Sequence, residues 1–376
     1  MKKRIAFLTG TRADYGKIKP LLRKLQHSQD FEIIVIATGM HTLAEFGLTI
    51  NEVIKDKIGE LHTFSNQSIG DNMDNVLANT ILRLSETIKT LRLDLLVVHG
   101  DRLEAIAGAI VGAFNNLRVA HIEGGEVSGT IDGSIRHAIT KFSHGHFVSN
   151  TEAANRLIQL GENPQTVFEI GSPDTDAILN ENLPSIDETK SHYEIPFERY
   201  GILIYHPVTT EINSLKQQAL NIVEGLVKSE LDFIVIRSNN DFGYKEIEEA
   251  YKILDGNKHF KRFPSVRFES FLSLLKNADF IIGNSSAGIR EAQYFNIPAI
   301  NIGTRQKNRS SSNHIVNINP ETNEVINAVK NINTLDISSG LKLDFGMGNS
   351  GELFLKILNT SEFWKIPIDK TFIDLQ

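Results

Sequence analysis

The feature of this sequence that most limits its fold is a repeated pairing of a short apolar run with a longer amphipathic stretch. The runs are RIAFLTG, FEIIVIATG, LDLLVVHG, LRVAHIEGG, GHFVSN, TVFEIGS, YGILIYHP, LDFIVIRSN, ADFIIGNSS and IPAINIG. Continuous apolar runs of this length are typical of parallel strands buried on both faces of a sheet. Between them, RLEAIAGAIVGAFNN carries apolar residues at helical spacing. The sequence therefore predicts an α/β protein.

The length of 376 residues predicts two domains, because such a chain exceeds one ordinary hydrophobic core. A polar segment that contains Pro184 and Pro196 separates the first six apolar runs from the last four. We therefore predict an N-terminal Rossmann-like domain over 1–180, a connection over 181–199 and a C-terminal Rossmann-like domain over 200–357. Two such domains facing one another would bind a ligand in the cleft between the carboxyl ends of their sheets.

Composition and charge exclude several classes of function. The net charge of −7 argues against nucleic acid or an anionic membrane as the main partner. The absence of cysteine excludes disulfides, a thiolate nucleophile, zinc–thiolate sites and iron–sulfur clusters. The apolar run after Arg4 ends at Thr9, which is too short for a secretory signal or a membrane span. We therefore expect a cytoplasmic protein.

The first loop, TGTRADYGKIKPLL, has glycines and a lysine but neither of two common phosphate-binding patterns. Its glycine spacing and Ile18 do not fit a P-loop, and it lacks the G-x-G-x-x-G of a dinucleotide fingerprint. A helix starting near Asp14 would still direct backbone amides at a diphosphate, with Arg12 and Lys17 adding positive charge. The alternative is that Arg12 is only a surface charge.

The second loop, GNSSAGIREA, directly follows the apolar run ADFIIG. Ser285 and Ser286 supply hydroxyl donors, and a helix beginning near Gly288 would add its dipole at a bound phosphate. Glu291 could then accept hydrogen bonds from ribose hydroxyls. The alternative is a helix capped by serine with an early glutamate, which needs no ligand.

Ionisable residues follow three further apolar runs. Asp101, Glu123 and His206 each come just after such a run, and Asp132 follows in the same loop as Glu123. Carboxylates brought together cannot all ionise freely, so at least one pKa should rise, as general acid and base catalysis requires. The alternatives are that Asp101 and Asp132 are helix caps and that His206 is structural. Clustered carboxylates with phosphate-binding loops indicate a nucleotide-linked substrate, and a glycosyltransferase, a nucleotide-sugar isomerase and a hydrolase all fit.

Six motifs in order resemble the hydrolysing UDP-N-acetylglucosamine 2-epimerases of sialic acid biosynthesis. They are GTRADYGK, HGDRLEA, HIEGGEVSGTIDGSIRH, HPVTTE, GNSSAGIREA and GTRQ. The resemblance runs from residue 4 to about 310, and the final FIDL is also similar. It implies two Rossmann-like domains of the GT-B type, with UDP bound mostly by the second. It also implies a C-terminal helix at about 358–376 that packs back on the first domain.

The resemblance further implies conversion of UDP-N-acetylglucosamine and water to N-acetylmannosamine and UDP through 2-acetamidoglucal. By the same resemblance, Asp101, Glu123 and Asp132 carry the proton transfers. His206 assists departure of the diphosphate. The residues predicted to bind the substrate are Arg12, Lys17, Arg102, Arg136, Ser285, Ser286, Glu291 and Arg305.

The resemblance requires no cofactor and no metal, and it implies a homodimer or homotetramer. The alternatives are a hydrolysing 2-epimerase for a related nucleotide sugar, such as a 2,4-diacetamido-trideoxy hexose or a GDP-linked sugar, and a GT-B glycosyltransferase. A further alternative is a silent nucleotide-sugar sensor, in which loss of the Asp101 carboxylate would have no effect.

Overall fold

A computed structural model describes residues 2–68, 70–128, 131–179, 183–239, 241–306, 313–335 and 345–374. The strands are β1 (Lys3–Thr9), β2 (Phe31–Ala37), β3 (Glu60–Thr63), β4 (Leu95–His99), β5 (Arg118–Ile122), β6 (Gly145–Val148), β7 (Val167–Glu169), β8 (Gly201–Ile204), β9 (Phe233–Ile236), β10 (Phe260–Phe263), β11 (Phe280–Gly283), β12 (Ala299–Ile302) and β13 (Ile315–Ile318). The helices are α1 (Arg12–Gln26), α2 (Ile50–Asp56), α3 (Met73–Leu91), α4 (Leu103–Phe114), α5 (Ile131–Phe142), α6 (Thr151–Gln159), α7 (Pro173–Ile178), α8 (Ile186–Tyr193), α9 (Ile212–Val227), α10 (Tyr244–Tyr251), α11 (Phe268–Lys276), α12 (Glu291–Tyr294), α13 (Thr322–Asn331), α14 (Ser350–Leu358) and α15 (Ser361–Trp364). None of these helices is long and apolar enough to cross a membrane.

The chain divides into two compact units. The first comprises the described residues of 1–127, 132–180 and 344–376, and the second those of 128–131 and 181–343. Each unit contains one parallel sheet flanked by helices, so the predicted α/β class with two such domains is confirmed. The segment that returns to the first unit begins before residue 358, the position at which the sequence analysis placed its start. Within 358–376 the described residues form the short α15 instead of one continuous helix.

The sheet of the first unit has seven strands in the order β3-β2-β1-β4-β5-β6-β7. The order reverses between β1 and β4, which pair in parallel with Ile5 opposite Leu95. In doubly wound sheets the loops that follow two such strands diverge to opposite faces and leave a crevice where ligands bind. The carboxyl ends of β1 and β4, at Thr9 and His99, therefore mark the expected position of a site in this unit.

The second unit repeats this arrangement with six strands in the order β10-β9-β8-β11-β12-β13. Here the order reverses between β8 and β11, with Ile204 opposite Gly283. The loop after β8 begins with Tyr205 and His206, and the loop after β11 begins with Asn284, Ser285 and Ser286. The same rule therefore points to these two loops in the second unit.

The C-terminal residues complete the core of the first unit. Helix α14 packs against α1 and α7, and its Phe354 is fully buried against Phe7 and Phe147. Asp176 of α7 accepts hydrogen bonds from the backbone N–H groups of Ser350 and Gly351, each at 2.8 Å, and so satisfies free donors at the start of α14. Residues distant in sequence thus share one hydrophobic core.

Candidate active site

Asp14 and His99 meet at the point where strand order reverses in the first unit. His99 ends β4, and its Nδ1 lies 2.7 Å from Asp14 Oδ1 in the first turn of α1. Helix α1 begins at Arg12 because Thr11 caps it, accepting a hydrogen bond from the Asp14 N–H at 3.1 Å. The predicted helix start near Asp14 therefore exists, but it positions a carboxylate against the end of β4.

The other oxygen of Asp14 is also occupied. Asp14 Oδ2 accepts hydrogen bonds from Thr9 Oγ1 at 2.6 Å and from the Gly10 N–H at 3.2 Å. Burial alone would raise the pKa of Asp14, but the hydrogen bond and charge of His99, together with these donors, lower it below its usual value. Asp14 is therefore an ionised carboxylate held by three groups, His99 at the end of β4 and Thr9 and Gly10 at the end of β1.

Glu123 follows β5 and is held at both side-chain oxygens. Its Oε1 accepts a hydrogen bond from Ser172 Oγ, and its Oε2 lies 3.5 Å from His99 Nε2. The backbone of Glu123 has φ of +64°, a left-handed conformation that costs a non-glycine residue on the order of 1 kcal/mol or more. Arg136 Nη1 donates to the Glu123 carbonyl at 2.6 Å and helps to hold this conformation.

Asp101 and Arg136 form an ion pair beside Glu123. Gly100, with φ of +74°, turns the chain after β4, and His121 Nε2 donates to its carbonyl at 2.8 Å. The buried Arg136 side chain thus contacts both the Asp101 carboxylate and the Glu123 backbone. Asp132 lies one turn earlier on the same helix, α5, where side chains four residues apart share a face.

The helix-cap alternatives for the two aspartates do not hold. The residue that caps α4 is Arg102, whose side chain makes no capping hydrogen bond, and Asp101 lies one position earlier. Asp132 lies inside the first turn of α5. Neither aspartate therefore occupies the N-cap position of its helix.

His99 carries a positive charge at neutral pH. Burial alone would lower the pKa of its imidazole, but the charge of Glu123 and the hydrogen bonds to Asp14 and Glu123 raise that pKa to about 9. His121, on the adjacent strand, behaves in the opposite way, because burial lowers its pKa to about 3. The site therefore contains one charged and one neutral histidine on neighbouring strands.

The remaining cations predicted in the first unit each face a carboxylate. Arg12 Nε lies 2.9 Å from Glu52 Oε2, and the Arg12 side chain is only 18% exposed, which argues against the surface-charge alternative. Lys17 Nζ lies 3.1 Å from Asp174 Oδ2. Arg102 Nε lies 3.4 Å from Glu104 Oε2.

In the second unit, Asn284 joins the two loops at the reversal of strand order. Its side chain accepts from the His206 N–H at 2.6 Å and donates to the His206 carbonyl at 2.8 Å. The Asn239 N–H donates to His206 Nδ1 at 3.0 Å. A neutral His206 therefore carries its proton on Nε2, where it can donate to an anionic ligand.

The loop after β11 differs from prediction in its helix. Ser285 caps a 3₁₀ turn over Ser286–Gly288, and the α-helix that follows is the four-residue α12. The prediction of a helix that begins near Gly288 is thus wrong. The expectation that its dipole would stabilise a bound phosphate is wrong for the same reason. The groups that this loop could offer to a phosphate are therefore its hydroxyls and backbone amides, and Glu291 is a buried residue at the start of α12.

The structure brings five of the predicted residues together in two groups. Arg136 joins Asp101 to Glu123 in the first unit, and Asn284 joins His206 to Arg305, whose Nη1 donates to the Asn284 carbonyl at 3.3 Å. Sequence reasoning missed Asp14, His99 and Asn284 as members of these groups, although all three lie within the motifs RADYG, HGD and GNSS. Among the residues that the structure describes, no His, Asp and Glu cluster has a geometry suited to a metal ion.

Comparison with known proteins identifies close relatives. A family model described as UDP-N-acetylglucosamine 2-epimerase matches residues 23–359. The UDP-N-acetylglucosamine 2-epimerase of Neisseria meningitidis serogroup B is 44% identical over 378 residues, covering 99% of both chains. The UDP-N,N'-diacetylbacillosamine 2-epimerase (hydrolyzing) of Legionella pneumophila is 32% identical over 334 residues, covering 88% of this chain and 89% of the relative. The crystal structure of a Neisseria meningitidis UDP-GlcNAc 2-epimerase bound to UDP-GlcNAc shares the fold, with a TM-score of 0.78, 19% identity and coverage of 94% of this chain and 99% of that one.

Proposed function

The chain belongs to the UDP-N-acetylglucosamine 2-epimerase family, and from this premise we propose that it is a hydrolysing enzyme that converts UDP-N-acetylglucosamine and water to N-acetylmannosamine and UDP. The observation that carries the proposal is the pair of carboxylates, Asp101 and Glu123, organised by one buried arginine at the carboxyl edge of a parallel sheet. The resemblance of its motifs to the hydrolysing enzymes supports a first step in sialic acid biosynthesis.

The chemistry explains why such carboxylates are needed. Carbon 2 of the sugar is not adjacent to a carbonyl, so its proton is not acidic in the intact substrate. Breaking the C1–O bond, with its electron pair leaving on UDP, gives oxocarbenium character at carbon 1 and makes that proton acidic. A carboxylate then takes the proton, and the C–H electron pair forms the C1=C2 bond of 2-acetamidoglucal. Water adds its oxygen to carbon 1 while carbon 2 is protonated from the opposite face.

We assign the proton transfers at carbon 2 to Asp101, Glu123 and Asp132, all in the first unit. Departure of UDP creates negative charge on the diphosphate, which preorganised donors can stabilise. His206 Nε2 and the hydroxyls of Ser285 and Ser286 are suited to this, because the Asn239 N–H sets the tautomer of His206. Arg305, next to Asn284, and the cations Arg12, Lys17, Arg102 and Arg136 complete the proposed binding set.

A second candidate is a hydrolysing 2-epimerase for a related sugar. The relative from Legionella pneumophila, named for UDP-N,N'-diacetylbacillosamine, supports it with 32% identity. The higher identity of 44% to the Neisseria meningitidis enzyme favours UDP-N-acetylglucosamine. The two substrates differ in groups on the hexose, so the contacts to the sugar decide between them.

The decisive experiment is proton NMR of the protein incubated with UDP-N-acetylglucosamine in deuterated water. We expect free UDP and N-acetylmannosamine that carries deuterium at carbon 2, because solvent supplies the returning proton. Deuterated UDP-N-acetylmannosamine would contradict the hydrolytic step. Unchanged UDP-N-acetylglucosamine, with turnover of UDP-N,N'-diacetylbacillosamine in parallel, would favour the second candidate.

Replacing Glu291 by Gln is expected to weaken UDP binding by about tenfold, which corresponds to one charge-assisted hydrogen bond to the ribose. Isothermal titration calorimetry with UDP measures this effect. The matched control is Glu324→Gln, at a partly exposed position of the same unit, which should bind UDP as the unaltered protein does. Equal affinity of both variants would exclude Glu291 as a ribose ligand.

A further inference from the structure

We propose that His99 is a positioning residue for Glu123, which it holds ionised and oriented to take or return the proton of carbon 2, with Asp14 fixing His99 from the opposite side. The inference rests on the proposed function, because it assigns His99 a role toward a carboxylate of that reaction. Asp14 and His99 lie within two of the six motifs, but the resemblance implied no role for either residue.

The geometry places His99 between two carboxylates at the reversal of strand order. Its Nδ1 is 2.7 Å from Asp14 Oδ1, and its Nε2 is 3.5 Å from Glu123 Oε2. The side chains of Asp14, His99 and Glu123 are 11%, 8% and 4% exposed. Interactions between charges with so little solvent access are screened much less than those at the surface.

The donors and acceptors around His99 indicate that its imidazole carries a proton on both nitrogens. An ionised carboxylate only accepts, and a neutral imidazole has one donor and one acceptor. A neutral His99 between two ionised carboxylates would therefore leave one nitrogen facing an oxygen without a proton between them. An imidazolium meets both contacts, because its Nδ1 donates a hydrogen bond to Asp14 and its Nε2 carries a proton that faces Glu123 Oε2 across an ion pair of 3.5 Å.

The ionisable groups around His99 favour a proton on both of its nitrogens over a proton on a neighbouring side chain. The ionisable groups around it are Asp14 from α1, Glu123 after β5, His121 of β5 and Arg136 of α5, with His41 one hydrogen bond further away through Thr9. Burial lowers the pKa of His121 to about 3 and that of His41 to about 4, so both are neutral. The hydrogen bonds from Thr9 and Gly10 stabilise ionised Asp14, which leaves His99 as the base with two anionic neighbours.

An imidazolium in this position stabilises the ionised form of Glu123, a carboxylate that must take up a proton and release it again in each turnover. Ionised Glu123 is stabilised by the adjacent positive charge of His99, and Ser172 holds its other oxygen. When Glu123 takes the proton of carbon 2, the C–H electron pair forms the C1=C2 bond and His99 keeps both of its own protons. His99 therefore orients Glu123 through the whole cycle without exchanging a proton with the substrate.

The sign of the pH dependence follows from the raised pKa. The pKa of His99 lies at about 9, above its ordinary value, so the charge is present below that pH and is lost above it. Turnover should therefore fall as the pH rises through about 9. Removing the Asp14 carboxylate by Asp14→Asn takes away one of the two anionic neighbours, so the fall should move toward neutral pH.

Two variants of His99 separate the effect of its N–H group near Glu123 from the effect of its positive charge. His99→Asn keeps an amide near the position of Nδ1 and loses the donor to Glu123, and we expect kcat at neutral pH to fall by about 100-fold. His99→Gln places a neutral amide near the position of Nε2, and we expect it to recover about tenfold of that loss. Neither variant should show the fall near pH 9, and both should bind UDP normally. Wild-type kcat and an unchanged alkaline fall in His99→Gln would overturn the inference.

The matched control is His146→Gln. His146 is a fully buried histidine on β6, which β5 separates from β4 in the sheet, and its Nε2 lies 3.0 Å from Glu162. Its replacement removes a comparable buried contact away from Glu123, so stability should fall while the alkaline fall near pH 9 stays in place. Identical pH profiles for the His146 and His99 variants would mean that His99 has only a structural role.

A measurement without substrate separates this inference from the proposed function. In ¹⁵N-histidine NMR of the full chain, we expect His99 to titrate near pH 9, and at clearly lower pH in Glu123→Gln. A His99 titration at its ordinary pH that Glu123→Gln leaves unchanged would overturn the inference whatever the substrate is. The expected titration together with no release of N-acetylmannosamine would refute the proposed function alone.

Discussion

Replacement of Glu123 by Gln is expected to lower turnover of UDP-N-acetylglucosamine by about 10²- to 10⁴-fold, the range found when a positioned acid or base is lost. Gln has almost the same shape as Glu but cannot take up a proton at carbon 2. It also removes one of the two anionic partners of His99 while leaving Ser172 and Arg136 in place. Affinity for UDP should stay nearly unchanged, since the proposed UDP ligands after β8 and β11 belong to the second unit.

The control for this prediction is Glu126→Gln, three residues further along the same loop. Glu126 is also buried and accepts a hydrogen bond from Ser149 Oγ, but it does not contact His99 or Arg136 through any hydrogen bond or ion pair described above. Steady-state release of UDP, together with deuterium incorporation at carbon 2, measures both variants. Near-normal turnover in Glu123→Gln, or an equal loss in both variants, would remove Glu123 from the proposed proton transfers.

The strands that could be predicted from the sequence are those with continuous apolar runs. β1, β4 and β5 lie inside the first sheet, and their side chains are buried on both faces. The sequence gives no such signal for β3, β10 and β13, all of which are edge strands. Their segments ELHT, FKRF and IVNI are only partly buried, because an edge strand has a neighbour on one side only. Their polar residues interrupt the apolar pattern.

Members of the candidate site could be predicted where the sequence of a single loop indicates them. They could not be predicted where the site depends on contacts between segments that are distant in sequence. Asp101 and Glu123 could be identified because each follows an apolar run at the carboxyl end of a strand. The contact between Asp14 and His99 depends on the adjacency of β1 and β4, which are distant in sequence. The motif around Ser285 indicated a helix dipole, but the chain forms a 3₁₀ turn there instead.

The C-terminal segment presented a similar difficulty. The helical pattern of SGELFLKIL does not reveal which sheet it covers, and its partners on α1 and α7 lie far away in sequence. Only the fold shows that its Phe354 lies between the rings of Phe7 and Phe147, with ring centroids 6.2 and 4.6 Å away. The integrity of the first unit, including the loops that carry Asp14 and Glu123, should therefore depend on residues near the end of the chain.

Replacing Phe354 by Ala is accordingly expected to lower the free energy of unfolding of the first unit by about 3–5 kcal/mol, the cost of removing a buried aromatic ring and leaving a cavity. Trp364 is the only tryptophan and stacks on Phe31 of the same unit, so its fluorescence during urea denaturation follows this unit specifically. The control is Phe372→Ala in the same segment, because Phe372 is 69% exposed and should cost no more than about 0.5 kcal/mol. Equal costs for the two variants would mean that α14 covers the first unit without contributing to its core. Unequal costs of the expected size would show that α14 contributes to the core beneath the sheet that carries the proposed catalytic carboxylates.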